Sequence, residues 1–235
     1  MSGEVRDDSR LVRVVMQSPQ ERDDPELYRR ESMGAFAHEV RTPLTSIKMV
    51  MELARRQSQD GELLLDSELA GMLRSSVDDL QRLADDLQEA SRLERGRFTL
   101  STGPCELGAV IDTARQALEN LQLDGRPDSF IEGLWDGAAL ARAIVGFAQS
   151  ANRIGDGSGV VKLEALRGPD SAEIVLTSGR RNASLKAISA DAGFSFFRSR
   201  QLVLAMGGSV HCERAERFAT FRVVLPLRER ESAGE

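Results

Sequence analysis

Apolar residues recur along the first hundred positions with the period of a packed helix. Met33, Ala37, Val40, Leu44, Ile47, Met51 and Ala54 follow one another at alternating spacings of four and three, the seam that a helix presents to a partner helix. Asp24 as cap and Pro25 as first-turn residue set the start of a helix over about residues 25–57. The polar run Gln57-Ser58-Gln59-Asp60-Gly61 makes a turn. Leu69, Leu73, Ser76, Leu80, Leu83, Leu87 and Ala90 then repeat the alternation, predicting a second helix over about residues 62–95 that stops at Gly96. Each helix is ~45 to 50 Å long at 1.5 Å per residue, and together they form an antiparallel hairpin with one apolar face uncovered. Pairing two hairpins as a homodimeric four-helix bundle covers that face; the alternative is that the C-terminal half of the chain lies on it.

Beyond Gly96 the pattern changes to shorter alternating elements. Leu107 to Leu121 reads as a helix, Trp135-Asp136 opens another that runs through Arg153, and strands follow at Val160–Ala165 and Ala172–Thr177. A helix over Phe196–Met206, a turn at Gly207-Gly208, and strands Ser209–Glu213 and Thr220–Pro226 complete the series. That order predicts a small α/β sandwich, one mixed sheet with helices on one face. The chain thus divides into a tail at 1–24, a helical hairpin at 25–97, a sandwich at 104–228 and a tail at 229–235. Within the first tail, Leu11 to Val15 is a short apolar patch that fits a strand or a helix.

Composition narrows the partners. The 235 residues leave room for two small cores. A formal charge of -6 and a pI near 5.2 argue against nucleic acid, which calls for a basic face. The two cysteines, Cys105 and Cys212, have no metal-ligand spacing and fit free thiols in a reducing compartment. His211 beside Cys212 reads as a strand residue next to a buried thiol rather than a metal site. No run reaches the ~18 to 20 apolar residues that cross a bilayer, and Met1-Ser2-Gly3-Glu4 lacks the segments of a signal peptide. A cytoplasmic protein without membrane contact is expected, with its signal supplied by another protein.

The stretch Phe36-Ala37-His38-Glu39-Val40-Arg41-Thr42-Pro43-Leu44 concentrates reactive groups on the first helix. His38 stands one residue off the seam, about 100° round the helix, so its ring reaches solvent. Neutral imidazole is a nucleophile near pH 7, and a carboxylate that accepts from one ring N–H leaves the other nitrogen free to attack. Glu39 is the carboxylate at hand. Thr42 lies one helical turn from His38 and can position a water, while Arg41 can offset phosphoryl charge. Pro43 removes a backbone bond just past the histidine and should bend the helix. The plainer alternative for Glu39 and Arg41 is a solvated helix face.

These residues resemble the H-box of the dimerisation and histidine phosphotransfer domain of two-component sensor kinases, in which His-Glu-x-Arg-Thr-Pro-Leu is a highly specific pattern. The resemblance implies His38 as phospho-acceptor, Glu39 as its base and orienter, and Thr42 as support for dephosphorylating a partner aspartate. Ser91 to Phe98 looks like the segment that leads such a kinase from its bundle into its ATP-binding domain, and the elements from 104 on are similar to that domain. Three nucleotide-binding constellations of the family are absent. Ser150 stands where an asparagine would hold Mg²⁺, with Asn152 two residues away and ~200° round the helix. Leu176-Thr177-Ser178-Gly179-Arg180-Arg181 carries no carboxylate for adenine. Gly193-Phe194-Ser195-Phe196-Phe197 keeps one glycine of a phosphate-cradling loop, and the lid at Asn182 to Ala192 is short and lacks the usual aromatic motif. Each lost charged contact is worth about 1.5 to 3 kcal/mol, so no bound cofactor is expected here. Arg180 and Arg181 remain as an anion-attracting pair or as solvated loop residues.

Three functions fit. In the first, His38 exchanges phosphoryl groups with the aspartate of a response-regulator receiver domain, which supplies its own Mg²⁺, and Thr42 permits phosphatase action. The second is a working ATP-dependent histidine kinase. The third is a scaffold without chemistry that docks a receiver or partner kinase. A receiver is expected at the His38 end of the bundle, over Arg41, Ser46, Met49 and Leu53.

Overall fold

The computed structural model describes residues 25–57, 65–155, 157–179, 192–214 and 218–227. Both expected tails, the turn at 58–61, Arg180, Arg181 and the lid up to 191 lie outside the described residues. Helix α1 spans Pro25–Gln57, with Pro43 inside it. Helix α2 spans Ser67–Glu94 and so starts later than the apolar period predicts. Asp66 is the reason: its backbone is extended and its carboxylate accepts from Leu69 N at 2.8 Å, a cap that fixes the first turn. The helix ends at Gly96 as expected, at φ +63°, where Arg97 N donates to Arg92 O at 2.9 Å.

Strand β1 (Gly103–Glu106) pairs antiparallel with β3 (Glu132–Trp135) as a separate ribbon. Strands β2 (Gln122–Asp124), β4 (Val160–Arg167), β5 (Ser171–Gly179), β6 (Ser209–Arg214) and β7 (Phe218–Pro226) form one sheet in the order β2-β4-β5-β7-β6. Only β2 and β4 run parallel; the other pairs are antiparallel. Strands β1, β2 and β3 are too short for a period to reveal them. Helix α3 (Leu107–Gln116) ends before the predicted Leu121: Arg115 donates to Leu123 O and Gly125 O at 3.1 and 2.7 Å, tying the helix end to β2. Helix α4 covers Gly137–Ile154, capped by buried Asp136, and helix α5 covers Phe194–Ala205.

Alternation places the core. Val161, Leu163 and Ala165 of β4, Ala172, Ile174 and Leu176 of β5, and Phe221, Val223 and Leu225 of β7 are buried on one face, where they meet α3, α4 and α5. The rings of Phe147, Phe196 and Phe221 lie within 6.1 Å of one another, centroid to centroid. Trp135 is buried, and its indole N–H donates to Pro226 O at 3.0 Å, joining the ribbon to the sheet.

The hairpin packs differently from its seam. Val50 and Ala54 of α1 close on Leu69, Met72 and Leu73 of α2. Of the predicted α1 seam only Ala54 is buried: Met33, Ala37, Leu44 and Met51 are exposed and Val40 and Ile47 half-buried. The face turned to the rest of the chain is Ser32, Ala35, Pro43, Val50 and Ala54, about 100° from the stripe. The C-terminal half therefore leaves the apolar stripe open. No described helix is long and apolar enough to cross a membrane.

Phe147→Ala is expected to lower the unfolding free energy by about 3–5 kcal/mol. Leu166→Ala, on the open face of the sheet, should stay within about 0.5 kcal/mol; urea denaturation distinguishes the two.

Candidate functional site

The site is built on α1, where a 100° step per residue sends neighbouring side chains into different surroundings. His38, Thr42, Met49 and Leu53 are exposed and share one face of the helix. That face is roughly opposite the apolar stripe of Met33, Ala37, Leu44 and Met51, at about 180°. Arg41 is exposed as well. Ser46 is half-buried rather than exposed, and its hydroxyl turns back to donate to Thr42 O at 3.3 Å. His38 and Thr42 line an open cleft of about 2020 Å³ between the hairpin and helices α3 and α4, with Arg74, Arg82, Arg142 and Gln149 on its other walls.

Glu39 borders the same cleft but is engaged by the sandwich. Its carboxylate is only 10% exposed, pairs with Arg153 of α4, and accepts from Phe194 N, the first residue of α5, at 3.1 Å. Among the described residues no hydrogen bond joins it to His38. In this conformation the carboxylate that the sequence suggests as orienter of the imidazole is engaged by Arg153 and the start of α5, a cation and a helix N-terminus that both attract an anion.

Further contacts hold the same two parts together. Arg198 of α5 pairs with Asp86 of α2 and lies 3.8 Å from Glu89. Arg142 of α4 pairs with Glu89 at 3.0 Å, and the rings of Phe36 and Phe194 meet edge to face at 5.3 Å. Burial holds the Asp86 carboxyl above its ordinary value of 3.8; the Arg198 guanidinium opposes the rise and the Glu89 and Glu39 charges add to it. Periodicity gives no sign of this network, since Arg198 and Asp86 stand 112 residues apart. The only hint is that Asp86 and Glu89 are three apart on one face of α2.

At the three substituted constellations the described residues have partners or packing within the protein. Ser150 is fully buried, its hydroxyl 3.3 Å from that of Ser195. Asn152 accepts from Gly159 N at 3.0 Å, closing the turn into β4. Ser178 is buried in β5, which continues in register to Gly179 opposite Phe218. Gly193, at φ +82°, caps α5 with no side-chain acceptor, and the buried ring of Phe194 follows it. His211 of β6 shares a 3.2 Å hydrogen bond with Ser209, beside half-buried Cys212.

Residues 28–96 match the family model described as "His Kinase A (phospho-acceptor) domain". The chain is 33% identical over 111 residues to the sensor protein SphS of Synechococcus elongatus, a match that covers 47% of this chain and 26% of SphS. It therefore spans about a quarter of that relative's length. In structure it is similar to the Acinetobacter baumannii histidine kinase AdeS, with a TM-score of 0.67 at 17% identity over 82% of this chain and 98% of that one. The histidine kinase ThkA, solved in complex with the response regulator protein TrrA, matches with a TM-score of 0.57 at 17% identity, over 88% of this chain and 68% of that one. At such identities these two likenesses show the fold: a helical hairpin followed by an α/β region resembling the histidine kinase ATP-binding domain.

The raised Asp86 carboxyl has a measurable sign. A group whose pKa is raised on folding contributes most below its unfolded value and loses that contribution as pH rises through the folded one. The wild type should therefore gain stability relative to Asp86→Asn as pH falls from about 7 toward about 4, in urea denaturation at each pH.

Proposed function

We propose, from the premise that this chain belongs to the two-component sensor histidine kinase family, that His38 exchanges phosphoryl groups with the aspartate of a response-regulator receiver domain and that the chain does not bind ATP effectively. The observation that carries this reading is a contrast. His38 and Thr42 stand exposed in a wide cleft, while Ser150, Ser178 and Phe194, which stand where the family resemblance calls for nucleotide-binding groups, are buried.

In the transfer, an imidazole nitrogen forms the P–N bond as the P–O bond to the receiver's aspartate breaks and the carboxylate leaves with the electron pair; the reverse step returns the group. Mg²⁺ held by the receiver offsets the charge on the transferring oxygens. Arg41, one turn from His38, adds positive charge at the same end. Thr42 sits where its hydroxyl can orient a water toward a receiver's phosphoryl group. Met49 and Leu53, exposed on the His38 face, suit a receiver's apolar contact surface. The stripe of Met33, Ala37, Leu44 and Met51 on the opposite face suits a second copy of the hairpin, as a four-helix bundle. A dimer so formed leaves each His38 open.

A prephosphorylated receiver should label the wild type, and His38→Ala should take no label above background. Thr42→Ala should keep the label but slow loss of phosphate from the receiver by roughly tenfold to a hundredfold. Label from ATP alone would instead establish an ATP-dependent kinase; receiver binding with no label would leave a scaffold.

Leu44→Asp places a charge in the apolar stripe and should shift a sedimenting dimer to monomer at micromolar concentration. An unchanged sedimentation coefficient would refute the proposed bundle seam.

A further inference from the structure

Glu39 is the point at which the hairpin and the sandwich meet. Helix α5 begins at Phe194 with Gly193 as a cap that supplies no side-chain acceptor, so its first N–H groups need an anion and carry the positive end of the helix dipole. The Glu39 carboxylate provides it, accepting from Phe194 N at 3.1 Å while pairing with Arg153. Gly193 makes the approach possible: a Cβ there would collide with Glu39 Oε1 and with Arg153 Nη1.

We propose that Arg153 and the start of α5 form a clamp on Glu39 that keeps the sandwich docked on the hairpin and withholds Glu39 from His38, so that undocking readies the histidine for transfer. This rests on the reading of His38 as the phosphoryl acceptor oriented by Glu39. A carboxylate engaged by a guanidinium and a backbone N–H must leave both before it can turn to the imidazole. Leaving is feasible because Arg153 is already 48% exposed and stays solvated when the pair opens. Asp86 with Arg198 and Glu89 with Arg142 are further ionic ties, set beside a small apolar contact of Ala35, Leu93 and the Phe36–Phe194 ring pair, and a contact with so large a charged share opens more readily than a wholly apolar core. Arg153 acts in this scheme as a positioning residue, through Glu39.

The test combines hydrogen exchange at the Phe194 amide with the rate at which a prephosphorylated receiver labels His38. Arg153→Ala, on a half-exposed side chain, should speed Phe194 exchange by roughly tenfold and raise the labelling rate severalfold. Arg153→Lys should return both toward wild type. Gly193→Ala, which keeps every charge, should act in the same direction as Arg153→Ala. Glu39→Gln should speed exchange but slow labelling, because it also removes the orienting carboxylate. Unchanged exchange in Arg153→Ala overturns the clamp, and faster exchange with unchanged or slower labelling overturns the withholding. If no variant takes label, the reading of His38 fails and the withholding fails with it; Phe194 exchange still decides whether the clamp exists.

Discussion

Successive residues of an α-helix point about 100° apart, and the arrangement of this protein follows from imposing that constraint on one helix with three surfaces to serve. On α1 the apolar stripe of Met33, Ala37, Leu44 and Met51 stays open, and the face of Ala35, Pro43, Val50 and Ala54 is covered by the rest of the chain. The face of His38, Thr42, Met49 and Leu53 borders the cleft and open solvent. Because the three faces divide the circumference, His38 and Glu39, adjacent in sequence and both bordering the cleft, turn to different neighbours. The imidazole reaches solvent and the carboxylate reaches the sandwich.

The sandwich packs around its own apolar side chains. Phe147, Phe196 and Phe221 pack under the sheet, a core that depends on apolar burial and not on any bound group. Ser150 and Ser178 are buried, and Phe194 is buried against Phe36 of α1. The start of α5 still attracts an anion, as any uncapped helix N-terminus does, and the anion present is Glu39. That attraction belongs to the backbone rather than to particular side chains.

Much of this was legible from residue order. The four-three alternation of apolar positions gives both long helices, and Gly96 and Asp136 mark an end and a start that the structure retains. The strands from β4 onward follow from alternation along runs of six to nine residues. Strands β1, β2 and β3, at three or four residues each, are shorter than two periods and give no signal. The late start of α2 at Ser67 depends on which acidic residue caps it, and several near that point could do so. The bond from Ser46's hydroxyl to Thr42 O is likewise a choice among rotamers that the sequence leaves open.

The sequence by itself determined the hairpin, the sandwich and the placing of His38 off the apolar stripe, because each depends on a local period of side-chain polarity. Only the tertiary structure decided which face of α1 meets the second half of the chain, and with it that Glu39 engages Arg153 and Phe194. Ion pairs between Asp86 and Arg198 or Glu39 and Arg153 join residues more than a hundred positions apart. Charge carries no period that points to its partner, and a buried carboxylate finds its cation only after packing has fixed where both can reach.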